Sequence, residues 1–454
     1  PELAAEAAEA YDDSHRLARL YLNSRHPLVI WQGTPHGYND GVYSEEPVES
    51  VKAEVNLHVK QEFDALGFKK TPNVTTRLIQ NVYSAVAAIA YDRAERAPHW
   101  RIGHKAAANE FLLFRNGLLH IPSYLQGLDD SFAAPTPDYF ALAQLPYDFD
   151  PHAPPPQQFL NYCQYQWDDA HVHLLLEEML GDMLLSDPRQ RVFFAWLGKG
   201  YAGKSSLAEM VEALVGERNR CAVDLKDFGT SFGLEGTIGK KLILLSEAGA
   251  DARHSSGIVE KIKRITGNDL ISVNRKNKPI LSVRLEAKIL AVSNHLLRLI
   301  DDSGALFDRL VPLQFLRAID RDKADKSFPV KLKEELSGIV LLALKGWKRL
   351  RDNGKFTLPR SSQAVLGDLR ESGSPVLSFI ERACQSDHNS FTPSNTLFTA
   401  WQEYCAERDM KTGDQNEFIA ALKSAAPELR NDRRSVNGTQ QRGFWGIKLK
   451  DINR

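Results

Sequence analysis

Between residues 192 and 206 the chain reads Val-Phe-Phe-Ala-Trp-Leu-Gly-Lys-Gly-Tyr-Ala-Gly-Lys-Ser-Ser. The apolar run Val192 to Leu197 has the composition of a buried strand, and Leu207 to Val215 is a helix former with one apolar face. Between them stands Gly198-x-x-x-x-Gly203-Lys204-Ser205. A strand that turns through glycines into a helix leaves a loop of inward-facing N–H groups and aims the positive end of the helix at them. An anion of the triphosphate kind fits that loop. Glycines 198, 200 and 203 let the backbone wrap it, Lys204 reaches the β- and γ-phosphates, and the Ser205 hydroxyl ligates Mg²⁺. Gly198, Lys199, Gly200, Tyr201, Ala202, Gly203, Lys204, Ser205 and Ser206 are therefore the expected nucleotide-binding residues, with ATP and Mg²⁺ as ligands. A plain glycine-rich turn is the alternative; the Lys-Ser pair and the correct flanks on both sides weigh against it.

The chain has 454 residues, which predicts two to four domains. Apolar residues make up 43% and charged residues 25%, the balance of an ordinary globular protein. The formal charge is -1, so nucleic-acid binding must come from local basic patches. Cys163, Cys221, Cys384 and Cys405 lie far apart, without a Cys-x-x-Cys pair, so reduced thiols are expected and a zinc site is not. No apolar run approaches membrane-spanning length and no signal peptide is visible; the expected location is the cytoplasm.

Residues 1 to 26 read as a helix, followed by a strand pair over 28–31 and 42–43 across a turn-rich stretch. Helices are expected over 48–66 and 75–90, the second capped by Thr71 or Asn73. Phe111 to Ile121 predicts a hairpin with a type I′ turn at Asn116-Gly117. Seven prolines between 133 and 156 predict an extended connector. Asp148-Phe149-Asp150 lies inside it; metal binding of a polymerase kind needs a buried strand there, and the turn-like flanks favour a structural role. One helix is expected from Phe159 to Leu185, with His171 and His173 on different faces and so poor metal partners.

Beyond the glycine loop, Leu242 to Glu247 is an apolar strand ending in an acid, the form of a Walker B element. Glu247 there can polarise the attacking water or help hold the metal. A basic helix ends at a Gly267 C-cap. Strands over 270–273 and 280–283 flank the cationic tip Asn274-Arg275-Lys276-Asn277-Lys278-Pro279, which either grips DNA phosphates or is a solvated turn. Ala287 to Asn294 is a further strand, whose terminal Asn294 amide can orient the lytic water or sense the γ-phosphate. Arg309 precedes a last apolar strand and is placed to act on a neighbouring subunit's ATP. Residues 317 to 370 read as charged helices, with a linker near Pro359 and Ser361-Ser362. From Ser374 on, three helices and a basic two-strand wing over 436–449, turning at Gly438, suggest a winged helix.

The series from the glycine loop through Glu247, Lys263-x-x-Thr266-Gly267-Asn268-Asp269, the basic hairpin, Asn294 and Arg309 resembles the superfamily 3 helicases of viruses, phages and plasmids. The N-terminal part, at Asn116-Gly117-Leu118-Leu119, Thr136-Pro137-Asp138-Tyr139-Phe140 and Leu145 to Pro151, is similar to the domain preceding the helicase in phage and plasmid primase-helicases related to the poxvirus replicative helicase-primase. The C-terminal module is similar to the winged helix such proteins often carry, with Phe379, Trp401, Tyr404, Phe418 and Phe444-Trp445-Gly446 as its expected core.

The resemblance implies a multidomain, mainly α/β protein. Its parts would be an α-rich N-terminal domain (1–155), a helical collar (156–190), an AAA+-type ATPase core around a parallel sheet (191–316), a helical lid and linker (317–372) and a winged helix (373–454). It implies a homo-oligomeric ring, most often a hexamer, translocating 3′ to 5′ on single-stranded or forked DNA in a bacterial host. By match, Lys204, Glu247, Asn294 and Arg309 carry catalysis, Ser205 and Glu247 the metal, and Arg275, Lys276 and Lys278 the DNA-tracking hairpin. One departure is the single acid after Ser246, where the family often has two. Another is the lack of a primase constellation; with a start at Pro1, a truncated or separate primase is compatible, and primase or polymerase are expected partners. Two other classes stay open: a loader or scaffold that uses ATP only to assemble, and a P-loop regulator that binds DNA without unwinding it.

Overall fold

The computed structural model describes residues 9–67, 72–246, 255–276, 278–294, 299–320, 325–436 and 438–450. The chain forms two compact units, Pro1–His152 and Ala153–Arg454.

In the first unit the N-terminal helix is Ser14–Asn23, shorter than expected because Asp13 caps it by accepting from the Arg16 N–H at 2.8 Å. It packs with helices Val48–Ala65 and Thr76–Ile89. Val51, Val55, Val59 and Phe63 recur every four residues and are fully buried with Leu17, Tyr21, Val82 and Val86. Thr75, rather than Thr71 or Asn73, caps the third helix, accepting from the Leu78 N–H at 3.2 Å. The turn-rich stretch holds a strand the sequence reading missed, Thr34–Asn39, between Leu28–Trp31 and Val42–Glu45. Gln32-Gly33 and Asp40-Gly41 both take positive φ, so each pair closes a two-residue hairpin.

The hairpin of Phe111–Phe114 and Gly117–His120 forms as expected, but its loop is Arg115-Asn116 and neither residue has positive φ, so the turn is not type I′. The Asn116 amide instead clamps a distant backbone: Nδ2 donates to Phe149 O at 3.0 Å and Oδ1 accepts from Phe149 N at 2.8 Å. Asp148 accepts from Arg115 Nε at 2.8 Å on the surface. These bonds give Asp148-Phe149-Asp150 a place in the scaffold. The proline-rich stretch is not an extended connector. Tyr139–Phe140 pairs with His99–Trp100, and Tyr139, Phe140, Leu145 and Phe149 are buried. Proline removes an N–H donor but does not stop its neighbours from entering a core.

The second unit opens with α1 (Gln157–Gln166) and α2 (Ala170–Leu185). The single helix expected here breaks at 167–169, where Asp169 caps α2 by accepting from the His171 N–H at 2.9 Å. Then follow β1 (Phe193–Gly198), α3 (Lys204–Val215), β2 (Arg220–Asp224), β3 (Leu242–Ser246), α4 (Ser255–Thr266), the antiparallel pair β4 (Ile271–Arg275) and β5 (Lys278–Val283), β6 (Lys288–Ser293) and β7 (Leu310–Phe315). The order β2-β3-β6-β1-β7, parallel throughout, gives a five-stranded sheet in a mixed α/β fold. One face is covered by Ile258, Ile262 and Ile265 of α4 and by Val365 and Leu369 of the helix α7 described below. Gly267 does not take the left-handed C-cap; Asn268 does, at φ 57°.

Helices α5 (Phe328–Glu334), α6 (Leu336–Asn353) and α7 (Arg360–Gly373) follow. α6 lies against α2 at glycine-to-backbone distance: a Cβ on Gly346 would stand 2.3 Å from Glu177 O, and one on Gly181 2.4 Å from Ala343 O. The linker expected near Pro359 is the start of α7, where buried Ser362 donates to Pro312 O at 2.6 Å.

The C-terminal module runs α8 (Pro375–Ala383), β8 (Cys384–Pro393), α9 (Ser394–Ala406), α10 (Gln415–Ala425), β9 (Arg430–Val436) and β10 (Thr439–Leu449). Its antiparallel sheet has the order β8-β10-β9. β8 was not expected, because Cys-Gln-Ser-Asp-His-Asn-Ser lacks apolar alternation; β10 holds it by backbone pairing. The β9–β10 ribbon begins at Arg430, six residues before the expected wing. Phe379, Trp401, Tyr404, Phe418 and Phe444 form the buried core; Trp445 is only half-buried.

Candidate functional site

Parallel strands present their carboxyl ends together, and here those of β1, β6 and β3 lie side by side. Leu197 is in register with Ser293, so Asn294 emerges beside the loop that follows Gly198. The Lys204 ammonium, 6% exposed, donates to Gly198 O at 2.7 Å, Lys199 O at 2.8 Å and Asn294 Oδ1 at 2.9 Å. A cation is thereby held at the mouth of the glycine loop by two backbone carbonyls and a side-chain amide oxygen. The arrangement brings together Lys204 and Asn294, which are 90 positions apart in the sequence.

The loop residues differ in what the fold asks of them. Gly203 has φ 80°, and a Cβ there would lie 2.7 Å from Tyr162 Oη. A Cβ on Gly198 would meet Phe315 O at 2.5 Å, because β7 runs against it. A Cβ on Gly200 meets only open space. Tyr201 carries φ 61° and points an exposed ring outward. Lys199 and Ser205 are exposed, Ser206 is half-buried and Ala202 is buried.

Two groups that sequence reading missed brace this loop. Tyr162 Oη and Gln166 Nε2, both on α1, donate to Ala202 O at 2.9 and 3.0 Å. Burial pushes the Tyr162 phenol far above its ordinary range, so it remains a donor. From the other side the Ile319 N–H donates to Tyr201 O at 2.7 Å. No local motif marks Tyr162 or Gln166; their i, i+4 spacing on one helix face is the sole signal.

Glu247 lies outside the described residues. Arg309 is at the opposite end of the sheet: it precedes β7, whose Leu310 pairs with Phe193 and whose Phe315 pairs with Gly198, about 17 Å of strand away. Its guanidinium donates to Lys263 O and, at 3.0 Å, to Thr266 Oγ1, the C-terminal turn of α4. The basic hairpin is tighter than expected. Arg275 and Lys278, expected in the tip, pair across the strands, and the Lys276 N–H donates to the Glu235 carboxylate at 3.2 Å. Arg275 Nε donates to Pro279 O at 3.0 Å. Among the described residues no group of His, Cys, Asp and Glu is arranged to hold a metal ion, and no helix is long and apolar enough to cross a membrane.

A family of unknown function (DUF5906) matches residues 196–309, from inside β1 to Arg309. Two solved structures of the NrS-1 C-terminal region are similar over nearly the whole chain. The apo structure of its residues 305–718 gives a TM-score of 0.55 at 14% identity and covers 96% of this chain and 99% of that one. The A-form apo structure gives 0.54 at 12%, covering 96% and 100%. At that identity the likeness is one of fold: the mixed α/β architecture around the parallel sheet is shared with the NrS-1 C-terminal region.

Proposed function

We propose that the chain is an ATP-driven DNA helicase with a role in replication, working as a ring on single-stranded DNA. The observation that carries this reading is the Lys204 ammonium held between the glycine-loop carbonyls and Asn294 at the carboxyl ends of β1 and β6. A lysine held there stands at the mouth of the loop and can exchange these oxygens for the β- and γ-phosphates of a nucleotide, and Asn294 can report on the same phosphates. The open space at Gly200 and the exposed Ser205 leave room for a triphosphate and a hydroxyl for Mg²⁺, with Glu247 the second expected holder. Bound Mg²⁺ would neutralise charge that develops on the phosphate oxygens.

The AAA+-type assignment rests on the strand order β2-β3-β6-β1-β7, with β6 inserted between the glycine-loop strand and the Walker B strand. The winged-helix assignment rests on the element order of the C-terminal module: helix, strand, two helices and two strands. The ring rests on Arg309, which is too far along the sheet to serve its own glycine loop and would serve a neighbour's. The cationic hairpin between α4 and β6 favours a motor over a loader or a regulator, neither of which needs such a loop inside an ATPase core.

The test is ATP hydrolysis with and without single-stranded DNA, together with unwinding of a forked duplex, for wild type and Lys204→Ala. DNA-stimulated hydrolysis and unwinding, both lost in the variant, are expected. Hydrolysis indifferent to DNA, with no unwinding, would turn the reading to the loader or regulator.

A further inference from the structure

The sequence leaves open whether the C-terminal module meets nucleic acid or protein. Its charge is strongly divided. Residues 430–450 hold six Lys and Arg against one acid, Asp432, whereas residues 374–429 hold four against eight. The positive pole is the β9–β10 ribbon. Residues 431–435 are exposed, and from Gly443 to its turn at Gly438 the ribbon reaches about 17 Å beyond the buried Phe444.

The register shows how the arginines are set. Arg433 lies directly opposite Arg442, on the face that Asn431 and Phe444 share. Like charges directly opposite in a ladder are destabilising, and neither has an ion-pair partner among the described residues. On the other face Arg430 and Arg434 stand over the Trp445 ring, their Cζ atoms 5.4 and 5.0 Å from its centre. That contact orders two guanidinium groups in advance and reduces what is lost when they bind.

We infer that the β9–β10 ribbon is a duplex-DNA contact that enters a groove and grips the phosphates on both sides of it. A flat partner meets one face of a ribbon; this ribbon carries guanidinium groups on both. A two-stranded ribbon fits the major groove, whose walls are phosphate backbones, and guanidinium forks suit phosphate oxygens. An anion bridging Arg433 and Arg442 would remove the repulsion that the free ribbon carries. Helix α10 has a single cation, Lys423, and spends Glu417 on its own capping box with Asp414, so the contact is to backbone rather than bases and tolerates sequence.

This inference deepens the DNA reading above but does not depend on ATP hydrolysis. The test is anisotropy of the full chain, without nucleotide, on labelled duplexes of two unrelated sequences and on poly-glutamate, over roughly 50 to 200 mM salt. Three variants are compared with wild type: R433A/R442A, Arg433→Glu and Lys204→Ala. R433A/R442A is expected to bind both duplexes about tenfold or more weakly, with a salt slope lower by about two. Arg433→Glu would face Arg442 with an opposite charge, so it should keep or raise the melting temperature of the module while losing duplex affinity. Lys204→Ala, which tests the motor, should bind duplex as wild type does. Duplex affinity unchanged in R433A/R442A, or wild type that prefers poly-glutamate to duplex, would overturn the inference.

Discussion

Lys204 Nζ lies 2.9 Å from Asn294 Oδ1, so the first residue of α3 is joined to the end of the strand inserted between β1 and β3. Removing the amide frees the ammonium to swing and takes away the group proposed to sense the γ-phosphate. Asn294→Ala is expected to lower kcat for ATP about a hundredfold while changing nucleotide affinity by no more than about threefold. Steady-state kinetics with direct nucleotide binding would check it; an unchanged kcat would refute the sensor role.

Two glycines of the loop should respond differently to the same substitution. Gly203→Ala places a methyl against Tyr162 Oη in left-handed backbone, costing about 1–2 kcal/mol before the clash is counted. It should lower the melting temperature without ligand and also weaken nucleotide binding. Gly200→Ala meets nothing and should leave the unliganded protein within about 0.5 kcal/mol of wild type. Its effect should appear only as weaker binding of ATP; normal binding would mean that the phosphates do not pass over Gly200.

Lys288 on β6 sits 2.9 Å from the fully buried Asp182 of α2 and donates to Asp187 O and Gln190 O at 2.9 and 2.7 Å. Lys288→Met leaves a buried carboxylate unpaired and should cost about 3–5 kcal/mol, most of it recovered in Asp182→Asn/Lys288→Met. Burial outweighs the lysine and pushes the Asp182 carboxyl up to about 6. The unfolded chain titrates this group at about 3.9, so the folded state holds the extra proton in between. Its contribution to stability should therefore fall as pH rises from about 4 to about 6 and stay flat above. Denaturation across that window should lose this slope in Asp182→Asn; a slope that persists there would assign it elsewhere.

Arg309 is anchored within its own chain to Lys263 O and Thr266 Oγ1, far from its own glycine loop. If it serves a neighbour, Arg309→Ala and Lys204→Ala should each be inactive, while an equimolar mixture of the two regains part of the ATPase rate. Each mixed interface would then supply one intact lysine and one intact arginine. A mixture as inactive as its components would mean that Arg309 acts only as the cap of α4.

Much of the site was legible because its chemistry is contiguous. Strand, glycine loop and helix follow one another between 192 and 215, and local sterics alone place Lys204 at the helix start. Hidden were features whose cause is distant in sequence. β8 carries no alternation and exists because β10 pairs with it. Tyr139, Phe140, Leu145 and Phe149 are buried within the proline-rich stretch, and the Asn116 amide that holds Phe149 reaches 33 residues along the chain. Gly267 resembles a C-cap, yet Asn268 takes the left-handed turn, where α4 must hand over to β4.

By itself, the sequence determined the periodic elements and the local loop. Apolar spacing and glycine freedom act within a few residues, and no later folding event changes them. Only the tertiary structure decided which ends meet. The insertion of β6 between β1 and β3 sets Asn294 against Lys204, and the packing of α1 sets Tyr162 and Gln166 under Ala202. The ladder register sets Arg433 opposite Arg442, and the direction of β7 carries Arg309 away from the loop. Such juxtapositions depend on pairing and burial between distant segments, where one residue of slip would place every side chain on the other face.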